Sequence, residues 1–142
     1  MKFTASARRL VEGRAGKLCE YCLCPLEFST TPYSVEHIFP TAQGGNNDLE
    51  NLALSCQGCN GHKSAKTDGF DTISQKAAEF YHPRRDSWQE HFAWNEDFME
   101  IVGLTAKGRV TVNSLQLNRQ RVVNLRRILA LAGEHPPEAG TY

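Results

Sequence analysis

The chain has 142 residues, 16 basic and 16 acidic side chains and a formal net charge of zero, with 40% hydrophobic residues. This is the length of one domain, or of one small domain with an appendage, and 40% allows a modest core. The balance excludes the footprint of a strongly basic nucleic-acid binder, no apolar run approaches membrane-spanning length, and the N-terminal Met1–Arg9 stretch lacks the continuous apolar segment of a secretory signal.

In chain order, residues 4–14 predict a short helix with Thr4 or Ser6 as N-cap and Leu10 and Val11 facing inward, ended by Gly13 and Gly16. Cys19-Glu-Tyr-Cys22 opens a tight metal-binding turn over residues 19–24. The two prolines and the hydroxyl residues of 25–34 read as a loop. Val35 to Phe39 predict a strand that Pro40 ends, and Thr41–Asp48 with Gly44-Gly45 a turn. Leu49, Leu52 and Leu54 anchor a second short strand leading to Cys56-Gln-Gly-Cys59. A helix is expected from Cys59 or Asn60 through Lys66, with Gly69 beyond its end.

Further along, Ser74–Tyr81 reads as a helix stopped by His82-Pro83. Trp88–Trp94 and Phe98–Leu104 flank Asn95-Glu96-Asp97 as the strands of a hairpin. Thr105–Leu117 has features of both strand and helix, and helix is favoured. Asn118 is expected to cap a final helix with Val122, Leu125, Ile128, Leu129 and Ala132 on one face. Gly133 and Pro136-Pro137 close it, and 134–142 reads as a frayed tail.

Five cysteines argue against a complete disulfide framework, and two Cys-x-x-Cys pairs without a signal peptide read as a metal site in a reducing, cytoplasmic setting. Cys19, Cys22, Cys56 and Cys59 can close a tetrahedral structural zinc site with no open position. Cys24 is the odd thiol, able in principle to replace Cys22. Reduced, buried cysteines without metal are the alternative.

Between the pairs lies Glu36-His37. Neighbours on a strand point to opposite faces, so both serve one site only where the chain curves. From Ile101 to Gly133 there are six basic residues and no acidic ones. This stretch, which includes Arg126 and Arg127, is either a solvated face or a phosphate-contacting surface. Lys63 and Lys66, about one turn apart, are either phosphate contacts or solvated lysines. His62 is either a metal or phosphate contact or an exposed helix residue.

The run Cys-x-x-Cys, Glu-His-Ile-x-Pro, Gly-Gly, Asn-Leu and Cys-x-x-Cys-Asn-x-x-Lys over residues 19 to 66 resembles the HNH endonucleases with a zinc-stabilised ββα-metal fold. The downstream stretch, with Pro83-Arg84-Arg85-Asp86, Trp88, Glu90-His91-Phe92, Gly103-Leu104-Thr105, Gly108-Arg109 and Leu117-Asn118-Arg119, is similar to bacterial HNH proteins of about this length. The resemblance implies an α+β fold, with a nuclease core at 1–70 and a C-terminal hairpin-and-helix extension at 71–142 that packs on it. It implies His37 as the general base and Asn51 as the loop-bracing member of the catalytic set. It implies Glu36 and Asn60 as ligands of a catalytic Mg²⁺ or Mn²⁺. The residue before the base is often Asp in this family and is Glu here, which changes its reach. The expected activity is metal-dependent hydrolysis of DNA phosphodiesters, with no membrane partner. RNA as substrate and a non-catalytic zinc module that binds nucleic acid or protein are the competing readings.

Overall fold

The computed structural model describes residues 3–138 and Tyr142. The chain is mixed helix and strand. Helix α1 (Ala5–Arg14) is capped by Thr4, whose hydroxyl accepts from the Ala7 amide. It leads into the first cysteine turn, which a bridge between Leu18 and Pro25 closes. Strands β1 (Ser34–His37) and β2 (Leu52–Ser55) pair antiparallel, with His37 opposite Leu52 and Glu36 opposite Ala53. Helix α2 (Gln57–Lys63) follows β2 directly and completes a ββα unit. It starts at Gln57 because the Cys56 side chain caps it, accepting from the Cys59 amide. It ends at Lys63, where Ser64 takes a φ of 52°. Lys66 therefore lies beyond the helix, contrary to the expectation of a helix through 66.

The predicted helix at Ser74–Tyr81 is a correction. That segment supplies β4 (Lys76–Glu79), paired antiparallel with β3 (Asp68–Asp71). Lys-Ala-Ala-Glu has helix-forming composition, but intrinsic preference is a weak prior that packing overrides. The turn is held by Asp71, whose carboxylate accepts from the Ser74 amide at 2.9 Å, and Gln75 has a φ of 60°. Gly69 then lies close against helix α4 (Ala106–Leu115), where an added Cβ would sit 3.0 Å from Ser114 and 3.2 Å from Val110.

The expected hairpin is present as β5 (Phe92–Trp94) and β6 (Ile101–Gly103), after a single turn of helix, α3 (Trp88–His91), that takes up the start of its first arm. Helix α4 confirms the helical reading of 105–117; Thr105 caps it by accepting from the Gly108 amide. The last helix, α5 (Gln120–Leu131), has Arg119 at its N-cap position. Asn118 instead bonds both the amide and the carbonyl of Ile101, each at 2.8 Å, tying the chain to β6. The buried stripe of α5 is Val122, Arg126 and Leu129, while Ile128 is 63% exposed. The apolar face is thus rotated from the one expected, with an arginine at its centre. The expected frayed tail falls partly on residues 139–141, outside the described residues; Tyr142 packs on Trp88 with ring centroids 4.9 Å apart.

One buried cluster runs through both halves, from Val11, Tyr21 and Leu54 to Trp88, Phe92, Val110, Leu117 and Val122. Glu20 links them: it accepts from the Leu54 amide at 2.8 Å and pairs with Arg84. Among the described residues, no helix is long and apolar enough to cross a membrane.

Candidate functional site

The sulfur atoms of Cys19, Cys22, Cys56 and Cys59 lie within 4.8 Å of one another, and all four residues are buried. The Cys22 and Cys56 sulfurs are 3.7 Å apart. Ligands at about 2.3 Å on the corners of a tetrahedron stand about 3.8 Å apart, so this spacing fits zinc. Local backbone geometry points the sulfurs inward: the Cys22 and Cys59 amides each face the sulfur three residues earlier, at 3.5 and 3.4 Å. The odd thiol, Cys24, is not part of the cluster. Its carbonyl instead accepts from the Cys19 amide and the Tyr33 hydroxyl, both at 2.9 Å.

On the hairpin, strand alternation separates Glu36 from His37. Glu36 is 6% exposed and turns inward. Its carboxylate accepts a hydrogen bond from the Tyr21 hydroxyl and pairs with the Lys63 ammonium at 3.1 Å. Lys63, itself 2% exposed, also donates to the His37 carbonyl at 3.1 Å. Burial pushes the Glu36 carboxyl up, and the Lys63 ammonium and Tyr21 hydroxyl pull it back. A buried ion pair needs such further hydrogen bonds to offset desolvation. Two expectations are corrected here. Lys63 is not a surface lysine able to reach phosphate, because its ammonium is buried between α2 and the hairpin. Glu36 is not an open metal ligand, because both its oxygens are engaged inside the core.

His37 remains partly exposed on the other face. Its Nε2 is 2.7 Å from the Asn47 side-chain oxygen, so Nε2 donates there and Nδ1 carries the free lone pair. The Phe3 ring lies beside the imidazole, centroids 5.7 Å apart. In the sequence Asn47 is one polar residue of an expected turn, with no signal that sets it apart. Asn51 shapes that turn. Its amide nitrogen donates to the carbonyls of Phe39 (3.0 Å) and Asn46 (2.8 Å), and its oxygen accepts from the Phe39 amide (2.8 Å). The loop carrying Asn47 is thereby laced to the end of β1. The glycine pair has a physical reason: Gly44 has a φ of 93°, and a Cβ on Gly45 would lie 1.8 Å from the Phe39 oxygen.

Asn60 sits partly exposed on α2, and its side chain makes no hydrogen bond to another described residue. His62 and Lys66 are exposed, as is Arg127 on α5. Arg126 is a further correction. It is 1% exposed, donates to the carbonyls of Met99, Leu117 and Cys22, and lies 5.2 Å from the centre of the Trp94 ring. Its fork is spent inside the fold and cannot meet nucleic acid. Two more members of the basic run are engaged in ion pairs at partly exposed positions, Arg109 with Asp71 and Lys107 with Asp86.

A cleft of about 560 Å³ is lined by Phe39, Asn51, Tyr81, Arg85 and Lys107 among others, but not by His37 or Asn60. The candidate chemistry is therefore on the open surface of the ββα unit and not in this cleft.

The comparisons with known proteins follow the same segment. No curated protein matches the chain, and no solved structure does. Residues 19–66, which hold both cysteine pairs, the hairpin and α2, match the family model described as HNH endonuclease, and the chain carries an HNH domain over that stretch.

Proposed function

We propose that the protein is an HNH endonuclease that hydrolyses DNA phosphodiester bonds, with residues 1–70 as the nuclease core and 71–142 as an extension packed on it. The observation that carries this reading is the set of His37, Asn47 and Asn51 inside the HNH segment: an accessible imidazole whose tautomer is set by Asn47, on a loop that Asn51 holds in shape. Nδ1 of His37 accepts the proton of a water molecule as its oxygen attacks phosphorus; the P–O bond to the leaving sugar oxygen breaks, and that oxygen takes up a proton from solvent. Asn47 supports the positive charge that then builds on the ring by accepting from Nε2. Asn51 acts through the loop and positions His37. Zinc at the four cysteines would fix the first cysteine turn and the start of α2 about the hairpin, and cysteines held as metal ligands suit a reducing, cytoplasmic compartment.

Mg²⁺ or Mn²⁺ belongs to this reading, with Asn60 as the protein ligand that fits: an amide oxygen, open on α2. Glu36 does not fit, for the reason given above. When bound, such an ion neutralises charge on the phosphate. His62, Lys66 and Arg127 are the exposed groups of the expected set that can meet the phosphate backbone.

The engaged state of Glu36 favours one rival, a zinc module that binds nucleic acid without cutting it. Incubating plasmid DNA with wild type and His37→Ala in Mg²⁺ or Mn²⁺, with EDTA controls, separates the two. Cutting by wild type alone supports the nuclease. No cutting under any of these conditions supports the module.

A further inference from the structure

The cysteine centre has a neighbour that neither the HNH segment nor the proposed chemistry uses. Arg119, at the N-terminus of α5, lies outside residues 19–66 yet directs its guanidinium at the second cysteine pair. Nη2 is 3.3 Å from the Cys56 sulfur and Nη1 is 3.5 Å from the Cys59 sulfur. Nη1 also donates to the Gln116 carbonyl at 3.1 Å, beside the end of α4. One side chain thus bridges the C-terminus of α4 and the two sulfurs that open α2, and those two helices pack together.

A second observation concerns the room this placement of the guanidinium needs. Gly58, between the two cysteines, leaves the space that the arginine fills: a Cβ there would lie 2.5 Å from Nη2 and 2.8 Å from Cζ of Arg119. Gly58 is not in a left-handed conformation, so its backbone does not require glycine, and alanine is the better helix former. Glycine stands where the guanidinium lies against the second cysteine turn.

The electrostatics give the contact its purpose. A zinc ion held by four thiolates carries a net charge of about −2. In a buried site that charge needs compensation. Hydrogen bonds from N–H donors withdraw charge from sulfur, which makes the thiolates less prone to protonation and attack. Arginine suits this role because its fork reaches two sulfurs at once and stays charged.

We propose that Arg119 is a positioning residue for the metal at the four cysteines: from the junction of α4 and α5 it retains the ion by hydrogen-bonding Cys56 and Cys59. The proposal rests on zinc binding but not on nuclease activity.

Zinc release from wild type into a chromogenic chelator is to be compared with release from Arg119→Gln, Arg119→Lys, Gly58→Ala and Arg121→Gln. Arg121 is an exposed control on the same helix. Loss of a partner to a metal ligand costs about 10- to 100-fold in affinity, and Arg119→Gln is expected to release zinc faster by a factor in that range. Arg119→Lys recovers part of the loss, and Arg121→Gln behaves as wild type. Gly58→Ala is the sharper variant, because it improves helix propensity yet pushes the guanidinium away. It is expected to release zinc faster despite a more favourable helix, and it keeps the test valid if Arg119→Gln does not fold.

In cobalt-substituted protein, the sulfur-to-metal charge-transfer band should move to lower energy in Arg119→Gln and Gly58→Ala, a change that a packing role alone would not produce. Unchanged release from zinc-loaded Gly58→Ala protein, together with an unchanged band in its cobalt-substituted form, overturns this proposal alone. A folded wild type that takes up no zinc overturns the zinc reading and this proposal together.

Discussion

The Lys63 ammonium lies 3.1 Å from the Glu36 carboxylate, and both side chains are buried. This pair joins the last residue of α2 to the middle of β1, across the two halves of the ββα unit. Tyr21, from the first cysteine turn, adds its hydroxyl to the same carboxylate. Cysteine turn, hairpin and helix therefore meet at one ion pair, adjacent in sequence to His37.

Removing one partner of this pair leaves a charge buried without compensation. Lys63→Ala is expected to destabilise the protein by about 3–5 kcal/mol, read from denaturant midpoints of the zinc-loaded protein. A Lys63→Ala protein of unchanged stability but weakened DNA binding would restore the phosphate-contact reading of Lys63.

Zinc removal should unfold the first half of the chain. Structural zinc sites supply about 10 kcal/mol or more, so strong chelators should abolish cooperative unfolding and Cys56→Ser should lower Tm sharply. Metal analysis of wild type should find about one zinc per chain, the number that four cysteine ligands hold. A Cys56→Ser protein as stable as wild type contradicts a structural role for the site.

For the base, His37→Ala should lower the cleavage rate by roughly 10²–10⁴-fold with circular dichroism and zinc content unchanged. Asn47→Ala should cause a smaller loss, since it removes the tautomer's partner and leaves the imidazole. Wild-type cleavage by a folded His37→Ala protein would show that the base is a different group.

Asp71 and Arg109 give a pH signature. The Arg109 guanidinium binds the carboxylate through two nitrogens, at 2.9 and 3.0 Å, and holds it well below the usual carboxylate range. A carboxyl whose folded pKa is depressed contributes stability that is complete above its unfolded pKa, about 3.9, and is lost as pH falls towards the folded value. The stability difference between wild type and Asp71→Asn should therefore be constant from neutral pH down to about 5 and shrink below about 4. Urea titrations at several pH values read this directly, and a difference that grows on acidification would contradict the assignment.

Much of the site was legible as local pattern. Two cysteines three apart form one turn whatever surrounds them, and four such sulfurs have few destinations other than a metal. Adjacent strand residues face opposite ways, so the separation of Glu36 from His37 followed from the pleat. Gly44-Gly45 announced a tight turn, and the family resemblance implied Asn51 as the residue that braces it. The hairpin about Asn95–Asp97 followed from turn chemistry, whereas 105–117 carries features of both strand and helix, and α4 is the favoured one of the two.

Partner choice was not legible. Arg126 and Arg127 are adjacent and chemically identical, yet one is buried beneath Trp94 and the other exposed, because carbonyls of Met99, in the turn before β6, and of Cys22, in the first cysteine turn, accept from Arg126. Lys63 reads as a surface lysine until β1 brings a carboxylate to it from 27 residues away. Lys76–Glu79 has the composition of a helix and becomes a strand because Asp68–Asp71 is there to pair with it. Short-range spacing sets backbone turns, capping and ligand geometry through forces that act within a few residues. The direction of a long charged side chain depends on which distant groups can compensate its charge, and that depends on how the elements pack.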